Sequence, residues 1–256
     1  AGAMNSLQGR IIALTRPVGQ NRPLQSAIEK LGGRAALFPL LETKPVANPQ
    51  EIVQWECSIT RYAWLIFVSA NAVRYVWPYI APHLGIIRAR FACIGPATAA
   101  ALLEAGVSQV VFPESRFDSE GLLERLLAEG VEGQQITLVR GSHGREVLGD
   151  TLARHGARVT RLAVYERVPG YSAARELIGA VHKRQCDVIC LSSSEAIGVL
   201  KDVAGEKDAL WHTPVFVSHQ RIMERACLTG FKEVHCTASG DKGLLEGLVS
   251  WEGRAL

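Results

Sequence analysis

The stretch Gly9–Pro17, GRIIALTRP, returns in outline 124 residues later as Gly133–Gly141, GQQITLVRG, with Arg16 falling on Arg140. After each copy, the residue pattern predicts the same order of secondary-structure elements. This order is a short apolar strand, an amphipathic helix, an extended segment, a buried strand ending in serines and a helix. An apolar strand, a second helix and a closing strand–helix pair then follow. Self-similarity at about half the chain length indicates two related halves of similar fold.

Two further pairs of segments match at the same offset. WLIFVSANAV at Trp64 falls on VICLSSSEAI at Val188, which places Ser69 on Ser193. FACIGPATAAALLEAG, residues 91–106, falls on VFVSHQRIMERACLTG, residues 215–230. The strand runs are apolar without polar alternation, so each sheet is predicted to be covered on both faces. Helices between the strands make the sheets parallel, and each half is predicted to be an open α/β sandwich of the flavodoxin or Rossmann type.

The predicted helices have recognisable ends. Ser119 suits the N-cap of the helix that contains GLLERLL. Pro78 and Pro82 are expected to end the helix that begins after Asn71. A glycine ends the helical run in each half, and both glycines suit the left-handed position after a helix. They are Gly106 and Gly230.

Composition limits the class of protein. The chain has 256 residues, 48% hydrophobic and 21% charged, enough for two globular domains of about 125 residues each. A formal charge of +3 with mixed signs argues against nucleic acid as a partner. No apolar run reaches the roughly 20 residues that cross a bilayer, so a cytoplasmic protein without a membrane contact is expected. Residues 1–4 resemble a cloning remnant. The six cysteines form no CxxC pair, and neither zinc nor another metal is predicted.

Loops at the predicted carboxyl strand ends are rich in glycine, hydroxyl residues and arginine. Ligands of open parallel sheets bind there, and helix N-termini with arginine forks bind anions. Five such loops together favour an anion-binding cleft, although Ser69, Thr98 and Ser193 could each serve only as helix caps. The loops are 15–19, 69–71, 95–98, 140–145 and 192–194.

Other chemistries find little support. The first strand leads into TRPVG and not GxGxxG, and no GxxxxGK[ST] or GxSxG occurs, which disfavours a nucleotide-dependent enzyme and a serine hydrolase. Two proline-closed extended segments, FPLLETKP at 38–45 and LAVYERVP at 162–169, occupy equivalent positions and could pair as a two-stranded ribbon. Tyr165 would then either lie at the mouth of the cleft or simply pack between the lobes.

Seven motifs in order give the chain a resemblance to the uroporphyrinogen-III synthase family over residues 9–248. They are LTRP, FVSANAV, IGPATAAALLEAG, FDSEGLLERL, LVRGSHGRE, VYERV and LSSSEAI. The resemblance implies two α/β lobes joined by a two-stranded β-ladder. It implies a discontinuous lobe of residues 9–38 plus 169–256, a second lobe of residues 46–161, and linker strands at 39–45 and 162–168.

The resemblance also implies a reaction: dehydrative cyclisation of hydroxymethylbilane, a linear octacarboxylate, with inversion of ring D through a spiro intermediate. No cofactor is implied. Tyr165 would be the catalytic acid, and a second set of residues would contact the carboxylates. That set is Arg16, Ser69, Asn71, Thr98, Arg140, Gly141, Ser192, Ser193 and His219. A monomer in transient contact with hydroxymethylbilane synthase is expected, and the alternative is a bilobal module that binds a small anion without catalysis.

Overall fold

The computed structural model describes residues 6–144 and 147–251, in two compact units. One contains the described residues up to Glu42 and from Val168, and the other is Thr43–Arg167. Arg145, in one of the predicted anion loops, and residues 252–256 of the predicted first lobe lie outside the described residues.

Eleven strands and ten α-helices alternate along the described chain. The strands are β1 (Ile11–Leu14), β2 (Arg34–Leu37), β3 (Leu41–Pro45), β4 (Trp64–Phe67), β5 (Arg90–Cys93), β6 (Val110–Val111), β7 (Gln135–Gly141), β8 (Arg158–Pro169), β9 (Val188–Cys190), β10 (Val215–Val217) and β11 (Val234–Cys236). The helices are α1 (Arg22–Lys30), α2 (Gln50–Glu56), α3 (Ala70–Ile80), α4 (Pro96–Glu104), α5 (Ser119–Glu129), α6 (Val147–Arg154), α7 (Tyr171–His182), α8 (Ser194–Val203), α9 (Gln220–Thr229) and α10 (Gly240–Ser250).

Each unit is built on one sheet. The sheet of the first unit has the order β11-β10-β9-β1-β2, and the sheet of the second has the order β3-β8-β7-β4-β5-β6. β1 is parallel to both neighbours, as are β4 and β7. The α/β class with parallel sheets in two lobes is therefore confirmed. Each sheet takes strands from both halves of the sequence repeat, so the prediction that each half forms its own sandwich is wrong.

Burial explains why these strands read as unbroken apolar runs. All four residues of β4 are buried. Trp64 and Ile66 pack into one apolar cluster, whereas Leu65 and Phe67 pack into another on the opposite face. In the first unit, Ile12 and Ala13 likewise belong to different clusters. Both faces of each sheet are covered, which removes the polar alternation of a solvated strand.

The two extended segments lie in strands. β3 is the edge strand beside β8, and the backbone N–H of Val46 donates to the carbonyl of Val164 at 3.4 Å. β8 is a single strand of 12 residues that also pairs with β7. The role of these segments as a linker stays a prediction.

The helix ends correct two sequence predictions. The N-cap of α5 is Asp118, whose carboxylate accepts from the N–H of Gly121 at 2.8 Å, so the choice of Ser119 is wrong. α3 continues through Pro78 to Ile80, because one missing backbone donor is outweighed by burial of the apolar residues around it. Gly106 and Gly230 have φ of +110° and +133°, as predicted for glycines that end helices.

Candidate functional site

Several predicted site residues of the second unit lie at one edge of its sheet. Ser69 follows β4, the 95–98 loop follows β5, and Arg140 and Gly141 end β7. These three strands are adjacent and parallel, so their carboxyl ends share an edge. The fold therefore brings together residues separated by up to 72 positions in sequence.

Ser69 is the N-cap of α3. Its backbone is extended, and its Oγ accepts from the N–H of Ala72 at 3.1 Å. The same Oγ lies 3.1 Å from the hydroxyl of Tyr165. Ser193 caps α8 of the first unit with an identical 3.1 Å bond from Ala196, which reproduces the sequence repeat in side-chain geometry. The interpretation of Ser69 and Ser193 as caps is confirmed, and Ser69 has a second partner.

Tyr165 is enclosed on its own strand. Its side chain is 5% exposed and belongs to an apolar cluster of the second unit. It pairs with Gly141 across a β-bulge, and its carbonyl accepts from the N–H of Ser142 at 2.8 Å. A Cβ on Gly141 would lie 2.7 Å from Cε2 of the tyrosine ring. A glycine is therefore required at this position for the ring to lie where it does.

Tyr75, which sequence reasoning missed, covers the ring of Tyr165. The two rings stack with centroids 5.5 Å apart and planes at 26°. The Tyr75 hydroxyl lies 2.9 Å from Oγ1 of Thr43 and accepts from the Arg74 guanidinium at 2.8 Å. In the sequence, Tyr75 is one aromatic residue of an amphipathic helix, and no local motif marks it as a site residue.

Arg140 folds back over its own loop. Its Nε donates to the carbonyl of Gly141 and its Nη2 to the carbonyl of Gly144, both at 3.0 Å. Burial lowers the pKa of Arg140, and the positive charge of Arg161 lowers it further. The guanidinium also interacts electrostatically with Tyr165. The loop thus holds a positive charge that interacts electrostatically with the enclosed tyrosine.

The other two predicted residues of this unit lie on first helical turns. Asn71 is partly exposed on α3. Thr98 is 6% exposed on α4, so its side chain offers little surface to a ligand. The Thr98 environment suits packing better than anion contact.

The remaining predicted residues end strands of the first unit. Arg16 follows β1 and forms a 2.7 Å ion pair with Asp241. Ser192 is exposed, and Ser193 is the cap of α8. His219 precedes α9 and is exposed, with no side-chain cap bond. Because β1, β9 and β10 are adjacent, these residues also share a carboxyl edge.

A cavity of about 10 Å³ lies beneath this edge, lined in part by Thr15, Asn21, Ser192 and Ser218. Asn21 is 4% exposed, and its Nδ2 donates to the carbonyl of Arg16 at 3.3 Å. Among the described residues, its Oδ1 is the one buried side-chain nitrogen or oxygen atom without a hydrogen-bond partner. The cavity has room for about one water molecule. Sequence reasoning missed Asn21, since nothing local marks a buried amide.

Residues 6–144 and 147–251 contain no arrangement typical of a metal site or a reactive buried thiol. No group of His, Cys, Asp and Glu there could hold a metal ion. No helix within these ranges is long and apolar enough to span a membrane. Burial raises the thiol pKa of Cys93 to about 11 and those of Cys186 and Cys190 to about 12, which removes them as nucleophiles near neutral pH.

Comparison with known proteins gives consistent matches. The family described as Uroporphyrinogen-III synthase HemD matches residues 22–246. The uroporphyrinogen-III synthase of Escherichia coli K12 is 25% identical over 247 residues, which cover 91% of this chain and 97% of that protein. The enzyme of that name from Synechococcus elongatus is 29% identical over 201 residues, which cover 76% and 75%. The solved structure of uroporphyrinogen-III synthetase from Helicobacter pylori has the same fold, with a TM-score of 0.60, 14% identity and coverage of 94% and 99%.

Proposed function

The chain belongs to the uroporphyrinogen-III synthase family, and we propose that it performs the family's ring closure with the residues at the carboxyl strand ends described above. It is a lyase of tetrapyrrole biosynthesis that closes hydroxymethylbilane. The observation that carries the assignment of roles is the hydroxyl pair of Ser69 and Tyr165, 3.1 Å apart.

The reaction makes limited chemical demands on the protein. The hydroxymethyl oxygen must leave as water, and the substituted carbon of ring D must attack the resulting azafulvene to give the spiro intermediate. Unassisted closure gives the symmetric I isomer, so the enzyme must fix one folded shape of a flexible substrate. A proton donor for the leaving oxygen and fixed partners for carboxylates meet these demands.

We assign the acid function to Tyr165. The phenol is enclosed by Gly141 and Tyr75, which fixes the direction of its hydroxyl. Its contact with Ser69 connects it to the carboxyl edge of the sheet, where ligands of parallel α/β proteins bind.

Carboxylate contacts are assigned to both units. In the second unit they are Ser69, Asn71, Thr98, Arg140 and Gly141. In the first unit they are Arg16, Ser192, Ser193 and His219. Exposure favours Ser192 and His219 most, whereas Thr98 and Gly141 are buried. Arg16 is held at the strand end by Asp241, and a substrate carboxylate would compete for the same guanidinium.

The proposal includes the organisation of the protein. Residues 9–38 plus 169–256 and residues 46–161 are proposed as domains, with 39–45 and 162–168 as linkers. The division into compact units falls within these linkers, between Glu42 and Thr43 and between Arg167 and Val168. A cytoplasmic monomer in transient contact with hydroxymethylbilane synthase completes the proposal. The alternative, a binding module without catalysis, has no support among the named relatives.

A coupled assay tests the function. Hydroxymethylbilane is generated enzymatically, this protein is added, and the porphyrin isomers are separated after oxidation. We expect predominantly the III isomer. Formation of the I isomer alone, at the rate seen without the protein, would refute the synthase activity.

A further inference from the structure

The tyrosine is poorly placed to meet a substrate by itself. Its side chain is 5% exposed, Gly141 approaches the Cε2 and Cζ side of the ring, and Tyr75 stacks on the ring. Its hydroxyl has a hydrogen-bond contact with Ser69. Ser69 is partly exposed, at the N-terminus of a helix on the carboxyl edge. The serine is therefore the more accessible member of the pair.

The hydrogen bonds of this serine decide which way the protons point. A serine hydroxyl has one proton and two lone pairs. One lone pair accepts from the N–H of Ala72, and the second can accept the phenolic proton of Tyr165. The proton of Ser69 is then available to a ligand. In the opposite arrangement Ser69 would donate to Tyr165, and the serine proton would not be available to a ligand.

We propose that Ser69 delivers the proton to the departing hydroxyl and that Tyr165 replenishes it, so that the two hydroxyls form a short relay. The proposal rests on the synthase function proposed above and deepens it. Ser69 becomes the catalytic residue that touches the substrate, and Tyr165 acts through it.

The relay neither gains nor loses a proton over one turnover. The C–O bond of the hydroxymethyl group breaks, its electron pair leaves with oxygen, and the Ser69 proton converts that oxygen to water. In the same step Ser69 takes the proton of Tyr165, so the serine does not accumulate as an alkoxide. The positive charge of Arg140 interacts electrostatically with the phenolate that forms. The ring carbon that attacks in the final closure then loses its proton, and this proton returns through Ser69 to Tyr165.

Substitutions at the serine separate its proton from its capping role. Ser69→Thr keeps the cap and the hydroxyl. Ser69→Asn keeps an oxygen that can accept from Ala72 but removes the hydroxyl proton. Ser69→Ala removes both. Ser193→Ala, which loses an equal 3.1 Å cap bond from a serine with no tyrosine contact, is the matched reference for unfolding stability.

The experiment measures single-turnover rates of III-isomer formation for these variants, for Tyr165→Phe, and for the double variant Ser69→Asn/Tyr165→Phe. We expect Ser69→Thr to stay within a few-fold of the original protein. We expect Ser69→Asn and Tyr165→Phe each to lose about 10²-fold, the lower end of what a positioned acid contributes. The double variant should lose no more than the worse single variant, because both substitutions interrupt the same relay.

Two results would overturn the relay. One is an unchanged rate for a folded Ser69→Asn variant. The other is a loss of about 10⁴-fold in the double variant, the product of the two single losses, because independent sites give multiplied effects. A proton inventory in mixed H₂O and D₂O gives a second reading, since the relay predicts a curved plot that becomes linear in Tyr165→Phe. The unsubstituted protein separates the two proposals: if it makes no III isomer the synthase function fails, whereas III isomer with either overturning pattern refutes the relay alone.

Discussion

Gly141→Ala should displace the ring of Tyr165. The new Cβ would lie 2.7 Å from Cε2, 2.8 Å from Cζ and 3.2 Å from the hydroxyl oxygen of Tyr165. To reach ordinary contact at 3.4 Å the ring must retreat by about 0.7 Å, which is the kind of overpacking that costs roughly 1–3 kcal/mol. Gly141 has no positive φ, so alanine adds no backbone strain there. The lower chain entropy of unfolded alanine offsets part of the cost, about 0.4–1 kcal/mol.

We therefore expect Gly141→Ala to lower the free energy of unfolding by about 1–2 kcal/mol, measured by urea denaturation. A shift of the ring by this amount also disrupts the 3.1 Å contact between Tyr165 and Ser69. The rate of III-isomer formation should fall to the level of Tyr165→Phe.

Two controls isolate the clash. Gly85→Ala, in the same unit and with no atom within 4 Å of its new Cβ, should leave stability unchanged or raise it slightly. In a Tyr165→Ala background, Gly141→Ala should cost nothing, because the opposing ring is gone. An equal cost in both backgrounds would refute the claim that the ring makes this position require glycine.

Three further predictions concern stability and reactivity. Gly198→Ala, inside α8 with open space around the new Cβ, should stabilise the protein by about 0.8–1 kcal/mol in denaturant unfolding, and a loss would contradict the free space. Thr137→Val leaves the buried Nε1 of Trp55 without its 2.7 Å partner and should cost about 1–3 kcal/mol, most of it absent in a Trp55→Phe background. Thiol labelling of the native protein should be rapid at three exposed cysteines. Rapid labelling of a fourth cysteine in the folded protein would contradict the burial of the other three. The exposed cysteines are Cys57, Cys227 and Cys236.

The parts of the fold that the sequence predicted are those determined by short segments. The apolar runs at Trp64 and Val188 are long enough for a strand and lack alternation, which indicates burial on both faces. The serines that follow them are caps because a hydroxyl next to a helix start satisfies a free N–H. Where two polar neighbours competed for the same cap, as at Asp118 and Ser119, the sequence alone did not choose correctly.

The parts of the site that escaped prediction depend on distant contacts. Tyr75 reaches Tyr165 across 90 positions, and its stacking follows from how α3 lies on the sheet. Asn21 has a buried oxygen because the strand ends around it close a small cavity. Sequence patterns report periodicity along one element, whereas these two residues acquire their roles from packing between elements.

The interleaved strand order determines when each sheet can form during synthesis. The sheet of the second unit is contiguous in sequence, so it can close soon after Arg167 leaves the ribosome. β1 must wait for β9, and the bond from Thr15 to Cys190 spans 175 residues. At a translation rate of 5–20 residues per second this interval lasts roughly 9–35 s. Until then β1 has an unpaired apolar edge, so the nascent chain is most open to aggregation and to chaperones at this strand.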